Sequence, residues 1–254
     1  MREGKVGKRN RPSRRQKVTR QVRLRRTVAV LVLLAATIGV LHFGLPFEGG
    51  ARRLPPKHYL GSVCLDPGHG GNDMGASNQD LIERDINLSV AQQVRSKLEA
   101  DGYQVFMTRT DNDSYLTNED RVSYCNSTNA NLLVSIHQNY FTDNTTDYTV
   151  ALYYNQNSRG LAASLANATA AQLGTANNGI SSFDDGELMR ARMPAALIEG
   201  LFISSDSEYG LITAAGSGRL AGEALGIARG IEDYFRNPDQ RPTQDAVLDP
   251  GELS

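Results

Sequence analysis

From Tyr59 onward the chain alternates apolar runs of strand length with stretches of helical period, and this alternation narrows the possible folds more than any other feature. The strand-like runs are Tyr59–Leu65, Tyr103–Thr108, Asn131–Ile136, Tyr148–Tyr154 and Ala195–Phe202. After the first of them, Ile86, Val90, Val94 and Leu98 recur at helical spacing. Thr117 and Asp120 stand as in a capping box and predict a helix running towards Cys125. Ser158–Leu173 is rich in Ala and Leu, and Leu220, Ala224, Ile227, Ile231 and Tyr234 make a stripe for a last helix. Such alternation predicts an α/β fold, a single domain with a mainly parallel twisted sheet flanked by helices. No internal repeat is visible.

The near-neutral net charge of -1 conceals a division. Residues 1–26 hold 12 Lys/Arg and one acid, Glu3, so the remainder carries 15 basic and 27 acidic residues. The boundary is "TVAVLVLLAATIGVLHFGL", Thr27–Leu45, 19 residues without a charge. That length suits a bilayer-spanning helix, and the basic block before it belongs on the cytoplasmic side. No Ala-x-Ala cleavage site follows, which favours an uncleaved anchor over a signal peptide. The expected organisation is therefore a basic cytoplasmic segment (1–26), a transmembrane signal anchor (27–45) and a linker (46–58). A catalytic-sized domain (59–236) and a polar, disordered tail (237–254) complete it. The domain is expected outside the cell membrane, and a nucleic-acid role for the basic block gives way to the span directly behind it. Outside the membrane Cys64 and Cys125 can pair, but they make no disulfide framework or Cys-based zinc site by count or spacing, and both lie in apolar contexts, so two buried free thiols are expected.

The stretch "VCLDPGHGGNDMGA" ends the first apolar run with Asp-Pro-Gly and places His69 between glycines. It is not a dinucleotide loop, because a fingerprint begun at Gly68 and Gly70 needs glycine where Asp73 stands. Asp66 and Asp73 would also repel a phosphate. In sheets of this class ligands bind beyond the carboxyl ends of the strands, so polar residues just after apolar runs are the informative ones. His69 follows the first run, His137 ends "NLLVSIHQN", Glu199 ends "MPAALIEG", and Glu83 in "LIERDINL" precedes the first helix. Two histidines and one carboxylate are the donors of an open zinc site with a position left for water, and a further carboxylate can serve as general base. Taken singly, His137 could be a core histidine, Glu83 a surface acid at a helix start, and Glu199 a partner of Arg190 or Arg192. His42 and His58 fall in the span and the linker and receive no role.

"LDPGHGGNDMGA", "LIERDINL", "TRTDNDSYLTNEDRV", "NLLVSIHQN" and "MPAALIEGLFIS", in this order and spacing, resemble the zinc-dependent N-acetylmuramoyl-L-alanine amidases of the type-3 family. The resemblance spans Ser62 to Phe235. It implies that His69, Glu83 and His137 bind Zn2+, and that Glu199 is the catalytic glutamate. It also implies a peptidoglycan substrate, cut between the lactyl group of N-acetylmuramic acid and L-alanine. The chain is expected to be a monomer. Loop amides near Gly70 and Gly71 are candidate oxyanion donors. One departure is Ser205, where the family usually has Asn. The rival readings are another zinc peptidase and a non-catalytic wall-binding or regulatory module. A peptidase would need an arginine for a substrate carboxylate or a second metal; neither is marked, since Arg109 and Arg121 are expected simply to pair with neighbouring acids. The long polar connection Gly174–Met193 is expected to be a substrate-facing loop at the same rim.

Overall fold

The computed structural model describes residues 59–184 and 186–237. The predicted basic segment, anchor and linker, and all of the predicted tail but Asn237, lie outside them. Among the described residues no helix is long and apolar enough to cross a membrane. The elements are β1 (Ser62–Pro67), β2 (Ser77–Asn78), β3 (Leu81–Ile82), α1 (Glu83–Asp101), β4 (Gln104–Met107), α2 (Asn118–Thr128), β5 (Leu132–Asn139) and β6 (Thr149–Tyr153). There follow α3 (Arg159–Leu173), β7 (Asn177–Ser182), α4 (Gly186–Met189), β8 (Ala195–Phe202), α5 (Asp206–Thr213) and α6 (Arg219–Arg236).

Six strands form one sheet in the order β4-β1-β5-β8-β6-β7. The first four are mutually parallel, while β6 runs antiparallel to β8 and β7 follows the direction of β6. The expected mainly parallel α/β sheet is present. Strand alternation sends successive side chains to opposite faces. Leu132, Val134, Ile136, Ala196 and Ile198 join the core under α1, α3 and α6, together with Val90, Leu165 and Ile227. Leu133, Ala195 and Leu197 face the other way, into a smaller core with Val122 of α2 and Leu188 of α4. Burying an aliphatic side chain of this kind contributes roughly 1.5–3 kcal/mol, so the two apolar faces hold the sheet between its helices.

Local signals act where the sequence placed them. Thr117 and Asp120 form a reciprocal capping box that starts α2. Ser205 accepts from the Glu208 amide and caps α5, a role for which Ser is well suited. Two expectations are corrected. Cys64 and Cys125 form a disulfide and are not free thiols; 61 residues apart in the chain, they meet because α2 packs on the face of β1 that carries Cys64. The connection Gly174–Met193 is not one substrate-facing loop. Asn177–Ser182 pairs with β6 as an edge strand, and α4 packs its buried Leu188 among Cys64, Cys125 and Met193, on α2. Because β7 runs antiparallel to β8, it carries the chain away from the strand ends that bear His137 and Glu199. Phe235 of α6 packs over Gly61, just ahead of β1, so both ends of the described domain meet at the pole opposite those strand ends.

Candidate metal centre and active site

Three of the strands and one helix converge on the carboxyl-end rim of the sheet. β1 delivers His69 two residues past its last member, in a loop where His69 itself adopts φ 63°. β5 carries His137, and α1 opens with Glu83. His69, Glu83 and His137 each offer a donor atom, and these atoms lie within 4.8 Å of one another. Glu83 Oε1 stands 3.1 Å from His69 Nε2 and 3.1 Å from His137 Nδ1. The two imidazole rings meet edge to face with centroids 4.9 Å apart. The predicted ligand trio is therefore assembled, and Glu83 is a buried group rather than a surface acid at a helix start.

Backbone and side chains fix each donor. The Gln138 amide donates to Glu83 Oε1 at 3.2 Å and the Ala76 amide to Oε2 at 2.8 Å. His69 Nδ1 lies 2.9 Å from Asp73 Oδ2, which leaves Nε2 directed at the shared site and orients the ring. Glycine is required around these donors. A Cβ on Gly68 would come within 2.1 Å of His137 Nε2, and one on Gly75 within 2.5 Å of Glu83 Oε2. Burial disfavours ionised Glu83, but hydrogen bonds and charge from His137 and His69 outweigh it and hold its carboxyl well below the usual range. Burial likewise lowers the His69 pKa, and the Glu83 hydrogen bond and charge reverse this to a net rise. An anionic carboxylate between two imidazoles, cradled by glycines, has the donor chemistry of a divalent transition-metal site.

Glu199 is the register neighbour of His137 across β5 and β8. Paired residues of adjacent strands point to the same face about 4.8 Å apart, so this carboxylate stands beside the donor trio without belonging to it. The Arg190 side chain pairs with Glu119 on α2. The expected oxyanion donors are corrected, since the Gly70 amide is bonded to Asp73 O and the Gly71 amide to Asn112 O, each at 2.9 Å.

Several residues shape the site through contacts that their place in the sequence does not disclose. Arg121 does pair with an acid, Asp66 at 2.8 Å, but also donates to Pro67 O at 2.9 Å and His69 O at 2.7 Å. Arg109 makes no bond to a carboxylate in its set and donates to carbonyls instead. Behind the donors, Gln138 Nε2 donates to Glu223 Oε1 at 2.8 Å. Glu223 is fully buried on α6, and burial drives its pKa up to about 8 against the opposing Gln138 hydrogen bond. Only a contact between helix and strand, invisible in either segment alone, could have disclosed it.

Residues 63–233 match the Amidase_3 family, described as N-acetylmuramoyl-L-alanine amidase. The chain is 34% identical over 177 residues to "Uncharacterized protein YqiI" of Bacillus subtilis (strain 168), covering 68% of this chain and 84% of that one. It is 31% identical to N-acetylmuramoyl-L-alanine amidase LytC of the same strain over 69% of this chain, but spans only 36% of that protein. Among solved structures, N-acetylmuramoyl-L-alanine amidase from Clostridium difficile 630 aligns with a TM-score of 0.65 at 32% identity. That alignment covers 72% of this chain and 99% of the other. The matched region contains all four rim residues, and the chain belongs to the Amidase_3 family of N-acetylmuramoyl-L-alanine amidases.

Proposed function

We propose that the protein is a zinc-dependent peptidoglycan amidase that separates the lactyl group of N-acetylmuramic acid from the L-alanine of the stem peptide. The observation that carries this reading is the pairing of Glu199 with His137 beside the His69–Glu83–His137 donor trio. His69, Glu83 and His137 would hold the ion. A zinc ion bound there supplies Lewis-acid polarisation of the scissile carbonyl and lowers the pKa of a bound water to about 7. Glu199 takes a proton from the attacking water as the C–O bond forms. It then gives that proton to the alanine nitrogen as the C–N bond breaks, leaving a lactyl carboxylic acid and a free peptide amine. Asp73 keeps the His69 ring in one orientation throughout.

The test is to incubate the 46–254 fragment with purified muropeptides and zinc and to identify products by mass spectrometry. Free stem peptide with an exposed L-alanine amine supports the amidase. Release of a terminal amino acid alone would point to a peptidase, and no product to a binding module.

Residues 27–45 are further proposed to anchor the protein in the cell membrane with the domain outside. The apolar length and the basic block before it support this. So does the Cys64–Cys125 disulfide, a bond that persists in oxidising compartments. Fractionation of the intact chain with membranes is expected; a secreted chain beginning near Ala51 would mean that the segment is cleaved.

A further inference from the structure

Arg109 follows β4 and is only 3% exposed. Its guanidinium donates through Nε to Pro67 O at 2.9 Å, and through Nη2 to Gly68 O at 2.8 Å and Arg84 O at 2.9 Å. Nη1 donates to Asp111 O and Asn112 Oδ1, each at 3.0 Å. All five acceptors are neutral carbonyl oxygens. Burial, with help from Arg121, lowers its pKa to about 10, so it stays charged at pH 7. A buried cation is costly unless its donors are used, and here they are spent on one stretch of backbone on each side of the site.

The identity of two acceptors matters. Gly68 immediately precedes His69, and Arg84 immediately follows Glu83. A single nitrogen, Nη2, therefore bridges the loop that carries one metal donor and the helix turn that carries another. Arg121 holds the loop alone, at Pro67 and His69. Asn87 makes a second, longer bridge, donating to Gly68 O and to Glu83 Oε1 at 3.3 Å each.

We propose that Arg109 is a positioning residue for metal binding, setting the separation of His69 from Glu83 before any ion arrives. The inference rests on the reading of His69, Glu83 and His137 as a metal site. A planar, five-donor fork can span Pro67, Gly68 and Arg84 at once, whereas a lysine ammonium is a compact point charge on a flexible stem. Arg109→Lys keeps the charge and much of the packing while removing the bridge. Groups that orient metal ligands typically change affinity about 10–100-fold when altered.

The experiment uses the full chain in detergent, stripped with chelator, as wild type, Arg109→Lys, Arg109→Met and His69→Ala. Zinc affinity is read by competition with a fluorescent chelator, fold by circular dichroism, and kcat and KM at saturating zinc. Folded Arg109→Lys is expected to bind zinc about 10–100-fold more weakly and to regain most of its kcat, at unchanged KM, once zinc is saturating. A merely structural role would lower kcat at every zinc level. Wild-type zinc affinity in a folded Arg109→Lys would overturn the proposal, as would failure of both Arg109 variants to fold. If wild type and His69→Ala bind zinc equally poorly, the metal-site reading itself fails, and that result is distinct.

Discussion

Asp66 accepts a hydrogen bond from Arg121 two residues along β1 from the Cys64–Cys125 disulfide, so β1 and α2 are joined by two successive cross-links. The spacing follows from backbone geometry. Two residues along a strand rise about 6.6 Å, and four along a helix rise about 6 Å, so Cys64 and Asp66 meet Cys125 and Arg121 in register. The upper cross-link extends to the His69 carbonyl through Arg121.

Loss of the lower cross-link is expected to cost about 2–4 kcal/mol of stability. Thermal unfolding of the wild type with and without reductant, and of Cys64→Ser, checks this. Reductant should leave the Tm of Cys64→Ser unchanged. Asp66→Asn should cost more, about 3–5 kcal/mol, because it leaves the buried Arg121 guanidinium without its charge partner.

Glu199→Gln should separate chemistry from binding. The variant is expected to keep zinc and fold while hydrolysis of muropeptides falls about 10²–10⁴-fold, the usual contribution of a general base. His137→Ala should instead lose zinc and activity together. A hydrolytically competent Glu199→Gln would remove Glu199 from the mechanism.

Glu223 gives stability a pH dependence of definite sign. Its folded pKa of about 8 lies above its ordinary value of 4.5, so the folded state binds the extra proton between those limits. Stability conferred by that proton is present below about pH 4.5 and is lost as pH rises towards 8. Asp147, raised to about 6 chiefly by burial and then by the charge of Glu208, adds a slope of the same sign at lower pH. Glu223→Gln should therefore flatten the decline between about 6 and 8. Denaturant titrations at several pH values measure it, and an unchanged slope in the variant would count against the assignment.

Metal loading of the stripped protein should release protons, since the Glu83 contact favours protonated His69 and a ligating imidazole must be neutral. Calorimetric titration with zinc in two buffers of different ionisation enthalpy reads the number directly. Affinity should weaken as pH falls through the His69 transition.

What the sequence disclosed and what it withheld divide along the length scale of the interaction. His69, Glu83, His137 and Glu199 were legible because each sits at the edge of an apolar run or at a helix start, and topology sends those edges to one rim. The central strands were legible because burial on both faces demands continuous apolar runs. β7 was not: "NNGISS" is an edge strand with mostly exposed side chains, held by its backbone pairing with β6. The disulfide escaped because a separation of 61 residues says nothing about distance in space. Arg109 escaped because its partners are carbonyls, which every residue possesses; only the loop's path makes them acceptors.

Phe235 resting over Gly61 brings the first and last described elements together at one pole, with the rim of His69 and Glu199 at the other. The domain thus has a handle and a blade. Gly61 and Phe235 lie at the handle, away from the blade. A fusion or surface immobilisation at either terminus should for the same reason spare hydrolysis, whereas an insertion between Gly71 and Gly75 would sit across the cutting edge.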